Sequence, residues 1–134
     1  MQPIKIVKKE IIDPQKQAAT GNYSSAIEMD GWVFVSGHGF LDMATGEILP
    51  GTIEEETRLT LENIERVLVQ AGCTRRDIVK STCHLADFED FDRFDSTYGK
   101  FFAECLLPAR TTVQSGLGSI KVELDVIAKK APQE

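Results

Sequence analysis

Late in the chain, an arginine and a glutamate stand in β-rich runs where charge needs a reason. Arg110 follows Pro108-Ala109, whose proline restricts the chain's approach, and Glu123 interrupts the run Val122-Glu123-Leu124. Placed on neighbouring strands, two such residues form by default a surface or interface salt bridge. The chemical alternative is a guanidinium fork that binds a substrate carboxylate through two bonds, with a carboxylate nearby to handle a water. The residues by themselves leave both readings open.

Other catalytic apparatus is scarce. His38 and His84 are far apart and no Cys-x-x-Cys pair exists, so no metal site is expected. The zinc-deaminase signature, a His-x-Glu with a Pro-Cys-x-x-Cys, is missing as well. No Gly-x-Ser-x-Gly elbow occurs, and Ser115-Gly116-Leu117-Gly118-Ser119 reads as a turn rather than a phosphate loop. Cys73, Cys83 and Cys105 read as small buried apolar residues, their odd number suiting a reducing compartment. His84 alternates within a strand and reads as a satisfied or surface imidazole.

Six strands and two helices must position these groups. Residues 4–9 read as a first strand. Tyr23 to Met29 and Trp32 to Ser36 flank Asp30-Gly31, the signal of a two-residue hairpin. A turn-rich loop from Gly37 to Gly51 precedes a helix that Thr52 and Glu55 open as a capping box and Gly72 closes. Ile53, Leu61, Ile64, Leu68 and Ala71 share its inner face, with Glu54/Arg58 and Glu62/Arg66 as outer pairs. Ile78 to Ala86 is a strand. A second helix, from an Asp87 cap to about Glu104, sets Phe88, Phe91, Phe94, Tyr98 and Phe101 on one face, for packing against a sheet. Arg110 to Gln114 and Val122 to Ala128 complete the strands.

The order predicts an α+β fold with both helices on one face of a single sheet. The other face then needs cover, so a homo-oligomer is expected. The chain has 134 residues, 42% of them hydrophobic and 27% charged, which suits one globular domain over 1–134 without a disulfide or metal staple. Its charge of -6 comes with no basic run beyond Lys8-Lys9 and Arg75-Arg76, so a small molecule or a protein is a better partner than nucleic acid. No apolar run approaches the ~20 residues of a membrane span, and Met1 to Glu10 lacks the apolar stretch of a secretory leader, so a cytoplasmic protein is expected.

Several segments together resemble the RidA/YjgF family of enamine/imine deaminases. They are Tyr23-Ser24-Ser25-Ala26, Val35-Ser36-Gly37, Leu41 to Gly46, Leu61-Glu62-Asn63, Asp77 to Thr82, Asp90-Phe91 to Tyr98, Pro108 to Thr112 and Val122 to Ala128. The likeness runs in order over nearly the whole chain, and its Pro-Ala-Arg block is specific. It implies a chorismate-mutase-like α+β subunit, a six-stranded mixed sheet with two helices on one face. It also implies a homotrimer with sites in the clefts between subunits.

The activity implied is hydrolysis, without a cofactor, of 2-imino acids such as 2-iminopropanoate and 2-iminobutanoate to 2-keto acids and ammonia. These imines arise from enamines such as 2-aminoacrylate. By position, the resemblance makes Arg110 the carboxylate clamp and Glu123 the holder of the attacking water. Gly37 N–H and the backbone at Thr112 line the imine end, and Tyr23 packs at the mouth.

The chain departs from the family pattern at one of these places and at two others. Thr112 stands where Cys is frequent, His38 where Gln is frequent, and Asp95 where Asn is common. His38 adds a titratable group at the cleft, which is also compatible with a related branch that deaminates larger dicarboxylic enamines such as 2-aminomuconate. A non-catalytic binding trimer is a further reading, against which Arg110 argues. The acidic balance argues against the ribonuclease role sometimes attached to the family.

Overall fold

Asp30 and Gly31 both take positive φ, 54° and 80°, the combination that a type I′ hairpin turn requires. They join β2 (Ala26–Met29) to β3 (Trp32–His38) in the expected register. The computed structural model describes residues 7–17, 20–49 and 51–132. Most of the strand expected at 4–9 therefore lies outside the described residues, and the strand found is β1, Lys9–Ile11, paired with β2.

Helix α1 (Ile53–Gln70) begins and ends as its sequence dictates. Thr52 Oγ1 accepts from Glu55 N–H at 3.1 Å, and the Glu55 carboxylate accepts from Thr52 N–H at 3.2 Å. At the other end Gly72 has φ +81°, with Gly72 and Cys73 N–H groups returning to the Val69 and Leu68 carbonyls. Those two bonds form a Schellman motif, which a Cβ at Gly72 would strain.

The expected outer pairs on α1 are rearranged. Arg58 pairs with Glu62 at 3.2 Å, whereas Glu54 reaches Arg93 at 2.6 Å and Arg66 grips Asp13 through bonds of 2.8 and 2.9 Å. Asp13 decides the last of these. Its carboxylate is buried, and a buried charge needs a partner more than an exposed one does. Burial pushes the Asp13 carboxyl up, but Arg66 and the Gln15 N–H outweigh it and hold it below the usual range. Stability from this pair is therefore full at neutral pH and is lost as the pH falls below about 4. Asp13→Asn should cost about 2–4 kcal/mol at pH 7 and flatten the acid limb of a urea-midpoint against pH curve.

The rest of the chain is β4 (Ile78–Leu85), α2 (Phe91–Phe101), β5 (Ala109–Gln114) and β6 (Val122–Lys129). Asp87 caps a single 3₁₀ turn, Phe88–Asp90, and α2 proper starts after it. The helix ends at Phe101, short of the expected Glu104. Parallel β5 requires a return along the whole of β4, and residues 102–108 supply it as turns and extended chain. Pro108, which disfavours helix at Leu107, reinforces that exit.

The sheet is mixed, in the order β1-β2-β3-β6-β4-β5, with only β4 and β5 parallel. Both helices cover one face. Val33, Val35, Leu124, Val126, Cys83 and Leu85 meet Leu61, Ile64, Leu68, Phe94 and Tyr98 there, all buried. Of the expected aromatic row, Phe94 and Tyr98 are buried against the sheet, Phe91 and Phe101 pack at its margin, Phe88 is exposed, and Phe102 rather than Phe101 completes the buried set. Cys73 and Cys83 are buried but Cys105 is only half so, because it lies on the connector beyond α2. The opposite face of the sheet is open, and on it Trp32, Phe34, Val79 and Val113 are exposed.

Candidate active site

Arg110 and Glu123 are not on neighbouring strands. Strand β4 separates β5 from β6, so no salt bridge joins them within one subunit. Arg110 aligns with Ser81, Ser81 aligns with Val126, and Glu123 lies three residues further along β6. That puts the two residues about 10 Å apart across the sheet and about 10 Å apart along it. Their side chains also leave by opposite faces.

Arg110 projects toward α2. Its guanidinium lies 4.8 Å from the Tyr98 ring centre and 5.6–5.7 Å from those of Phe94 and Phe91. Asp95, one turn before Tyr98 on the exposed side of α2, pairs with Nη1 at 2.7 Å. Tyr98 is fixed in turn by a 2.6 Å hydrogen bond between its hydroxyl and Ser81 Oγ, and burial raises its pKa to about 12. Arg110, Asp95 and Tyr98, with Gly99, Leu107 and Pro108, line a hollow of about 380 Å³. Thr112 lies two residues along on the same face, its hydroxyl buried without a hydrogen-bond partner among the described residues.

Glu123 projects to the open face, because its neighbours Val122 and Leu124 point into the core. The start of its strand is pinned by Glu56, whose buried carboxylate accepts from Lys121 N–H at 2.8 Å. The Glu123 carboxylate lies against Gly37, where an added Cβ would come within 3.1 Å of Cδ. Gly37 is thus the residue that lets backbone and carboxylate approach. Tyr23, Ser36, Gly37, Glu123 and Asp125 line an open cleft of about 420 Å³. Tyr23 stands half-exposed at its rim, hydrogen-bonded to Thr20 Oγ1 with Lys16 Nζ over its ring.

Three of the expected site residues, Tyr23, Gly37 and Glu123, therefore share one cleft, and Arg110 and Thr112 share another face. His38 belongs to neither. A register shift after Val35 aligns it with Leu124, so its ring turns to the helix-covered side and is buried. Nδ1 lies 2.7 Å from the Ser36 carbonyl, and burial pushes the imidazole pKa down. His38 lines instead a smaller pocket that also touches Tyr23 and Gly37. A further depression, of about 570 Å³, lies away from all these groups. There Arg75 is clamped by Glu65 at 2.6 and 2.8 Å and stacked on Phe101, a structural tie between the two helices.

Residues 14–130 match the family model described as Endoribonuclease L-PSP. The chain is 36% identical over 130 residues to a mouse 2-iminobutanoate/2-iminopropanoate deaminase, covering 95% of each. The chain belongs to the YjgF/RidA family. Among solved structures, a Rid-family protein of unknown function from Yersinia pestis superposes with a TM-score of 0.85 at 34% identity, over 92% of this chain and 99% of that one. E. coli TdcF with bound serine gives 0.84 at 32% identity with the same coverage. The six-stranded mixed sheet with two helices is thus the family's fold, and deamination is an activity found in it.

Proposed function

We propose that this chain hydrolyses small 2-imino acids to 2-keto acids and ammonia. Each site would form where the Arg110 hollow of one subunit meets the Glu123 cleft of the next in a homotrimer. The observation that carries this reading is the separation itself: two complementary half-sites on opposite faces of one sheet, beside an open face with exposed Trp32 and Phe34. A cyclic assembly would cover that face and join the halves. The serine in the E. coli TdcF structure supports a ligand of 2-amino-acid shape.

The chemistry asks little of the protein. An imine carbon is already electrophilic, so fixing the substrate carboxylate on Arg110 and a water on Glu123 supplies much of the acceleration as orientation. The Gly37 N–H and the Thr112 backbone would face the imine end. No step in this scheme calls for a cofactor.

The direct test couples an amino-acid oxidase, which makes 2-imino acids in place, to semicarbazide, which traps whatever is not hydrolysed. Less semicarbazone in the presence of the protein supports the reading, and its dependence on chain length names the preferred substrate. An unchanged signal with every small imine sinks it and turns attention to larger dicarboxylic enamines. Asp95 gives a finer expectation. It holds Arg110 Nη1, so an incoming carboxylate must share or displace that bond. The pair is partly exposed and worth no more than about 1 kcal/mol, so Asp95→Asn should lower KM roughly two- to fivefold with kcat little changed.

A further inference from the structure

His84 stands directly opposite Glu123 in the β4–β6 register, on the open face of the sheet. Its half-buried ring is held between two groups. Nδ1 lies 2.9 Å from Ser115 Oγ, and Nε2 lies 3.7 Å from Asp125 Oδ2. Asp125 is two residues beyond Glu123 on the same face and lines the same cleft. The cleft thus contains two carboxylates, one of them backed by an imidazole, and only Glu123 has a task in the reaction described above.

We infer that Asp125, charged and recharged by His84, delivers the proton that the departing nitrogen needs. The inference rests on the imine-hydrolysis reading. In the first step the water oxygen bonds to the imine carbon and one water proton passes to Glu123. The C=N electron pair moves to nitrogen, which takes a proton from the Asp125–His84 pair. In the second step nitrogen takes the proton held on Glu123 and the C–N bond breaks. The hydroxyl oxygen forms the keto C=O as its proton returns to Asp125–His84. Ammonia and the keto acid leave, and both acid–base groups regain their starting states.

A single carboxylate would have to carry protons from the oxygen side to the nitrogen side of one carbon. A second donor allows both transfers to proceed together. Imidazole can hold a proton at either ring nitrogen or at both, and this one has a polar partner on each side. When neutral it accepts from Ser115 at Nδ1 and carries its proton at Nε2, on the Asp125 side; when charged it donates to Ser115 and faces the Asp125 carboxylate as an ion pair at 3.7 Å. The groups that face it are Glu123 and Asp125 from β6, uncharged Thr111 and Val113 from β5, and Ser115 beyond β5. On β4 the nearest cation, Lys80, is four residues away and is bonded to Thr111 Oγ1 at 2.7 Å. His84 is therefore a positioning and proton-supplying residue acting through Asp125, which meets the substrate.

The pH dependence of kcat for His84→Gln and Asp125→Asn tests this. With His84→Gln, kcat at pH 7.5 should fall by at least about tenfold, KM should stay within about twofold, and the shape of the pH profile should change. Asp125→Asn should change the profile in the same way. A His84→Gln profile that superimposes on the wild type, or is lowered equally at every pH, overturns the inference and leaves the deaminase reading intact. A wild-type protein that hydrolyses no imine removes both.

Discussion

Arg110→Ala should reduce kcat/KM for 2-imino acids by about a thousandfold or more, on the order of 4 kcal/mol, through loss of the paired charge-assisted bonds to the substrate carboxylate. The arginine is already poised for that task. Three aromatic rings beneath the guanidinium and Ser81–Tyr98 behind them fix its plane without consuming its whole hydrogen-bonding fork. Arg110→Lys retains the charge but loses the fork, so it should recover only a minor part of the rate. Steady-state kinetics beside circular dichroism and sizing separate this from a folding defect, since the truncation also removes stacking on Phe94 and Tyr98. An Arg110→Ala protein of unchanged size and full activity would remove the carboxylate clamp from the mechanism.

The elements that position these groups were legible where local chemistry decides the outcome. Thr52 with Glu55, Gly72 beyond α1, and Asp30-Gly31 each specify a backbone conformation without reference to distant residues. Boundaries slipped where a tertiary demand took over. The segment after Phe101 has helix-forming residues but must run back to the edge of the sheet, and Arg66 abandons Glu62 for a buried Asp13. Neither demand has a local signature.

The candidate site was legible in the sequence as single residues and not as an arrangement. Nothing in the chain order says that β6 inserts between β3 and β4, so Arg110 and Glu123 looked like neighbours and are not. A one-place irregularity in β3 was enough to turn His38 to the buried side, reversing the face that alternation would assign it. His84 was passed over for the complementary reason. Alternation in β4 fits a satisfied imidazole as well as a surface one, and only the β4–β6 register reveals that its face holds Glu123 and Asp125. The signal available in the sequence was Glu123-x-Asp125, two carboxylates on one face of an apolar strand.

Glu123 should reveal itself in kcat. Glu123→Ala leaves Arg110 and its hollow untouched, so substrate capture should persist with KM within about threefold, while kcat falls by roughly a hundred- to a thousandfold for want of the group that takes the water proton. An equal loss in both parameters would make Glu123 a binding residue instead. The same variant tests the division of the site between subunits. When Glu123→Ala and Arg110→Ala chains, each inactive, are unfolded together and refolded as mixed trimers, every cyclic interface draws its arginine from one chain and its glutamate from the next. Random assembly then gives intact sites at about a quarter of the interfaces, and about a quarter of wild-type activity should return. A site built within one subunit would recover nothing, because no chain in the mixture carries both residues. Recovered activity would therefore join the two faces of the sheet into one active site, with the open face around Glu123 as the surface that brings them together.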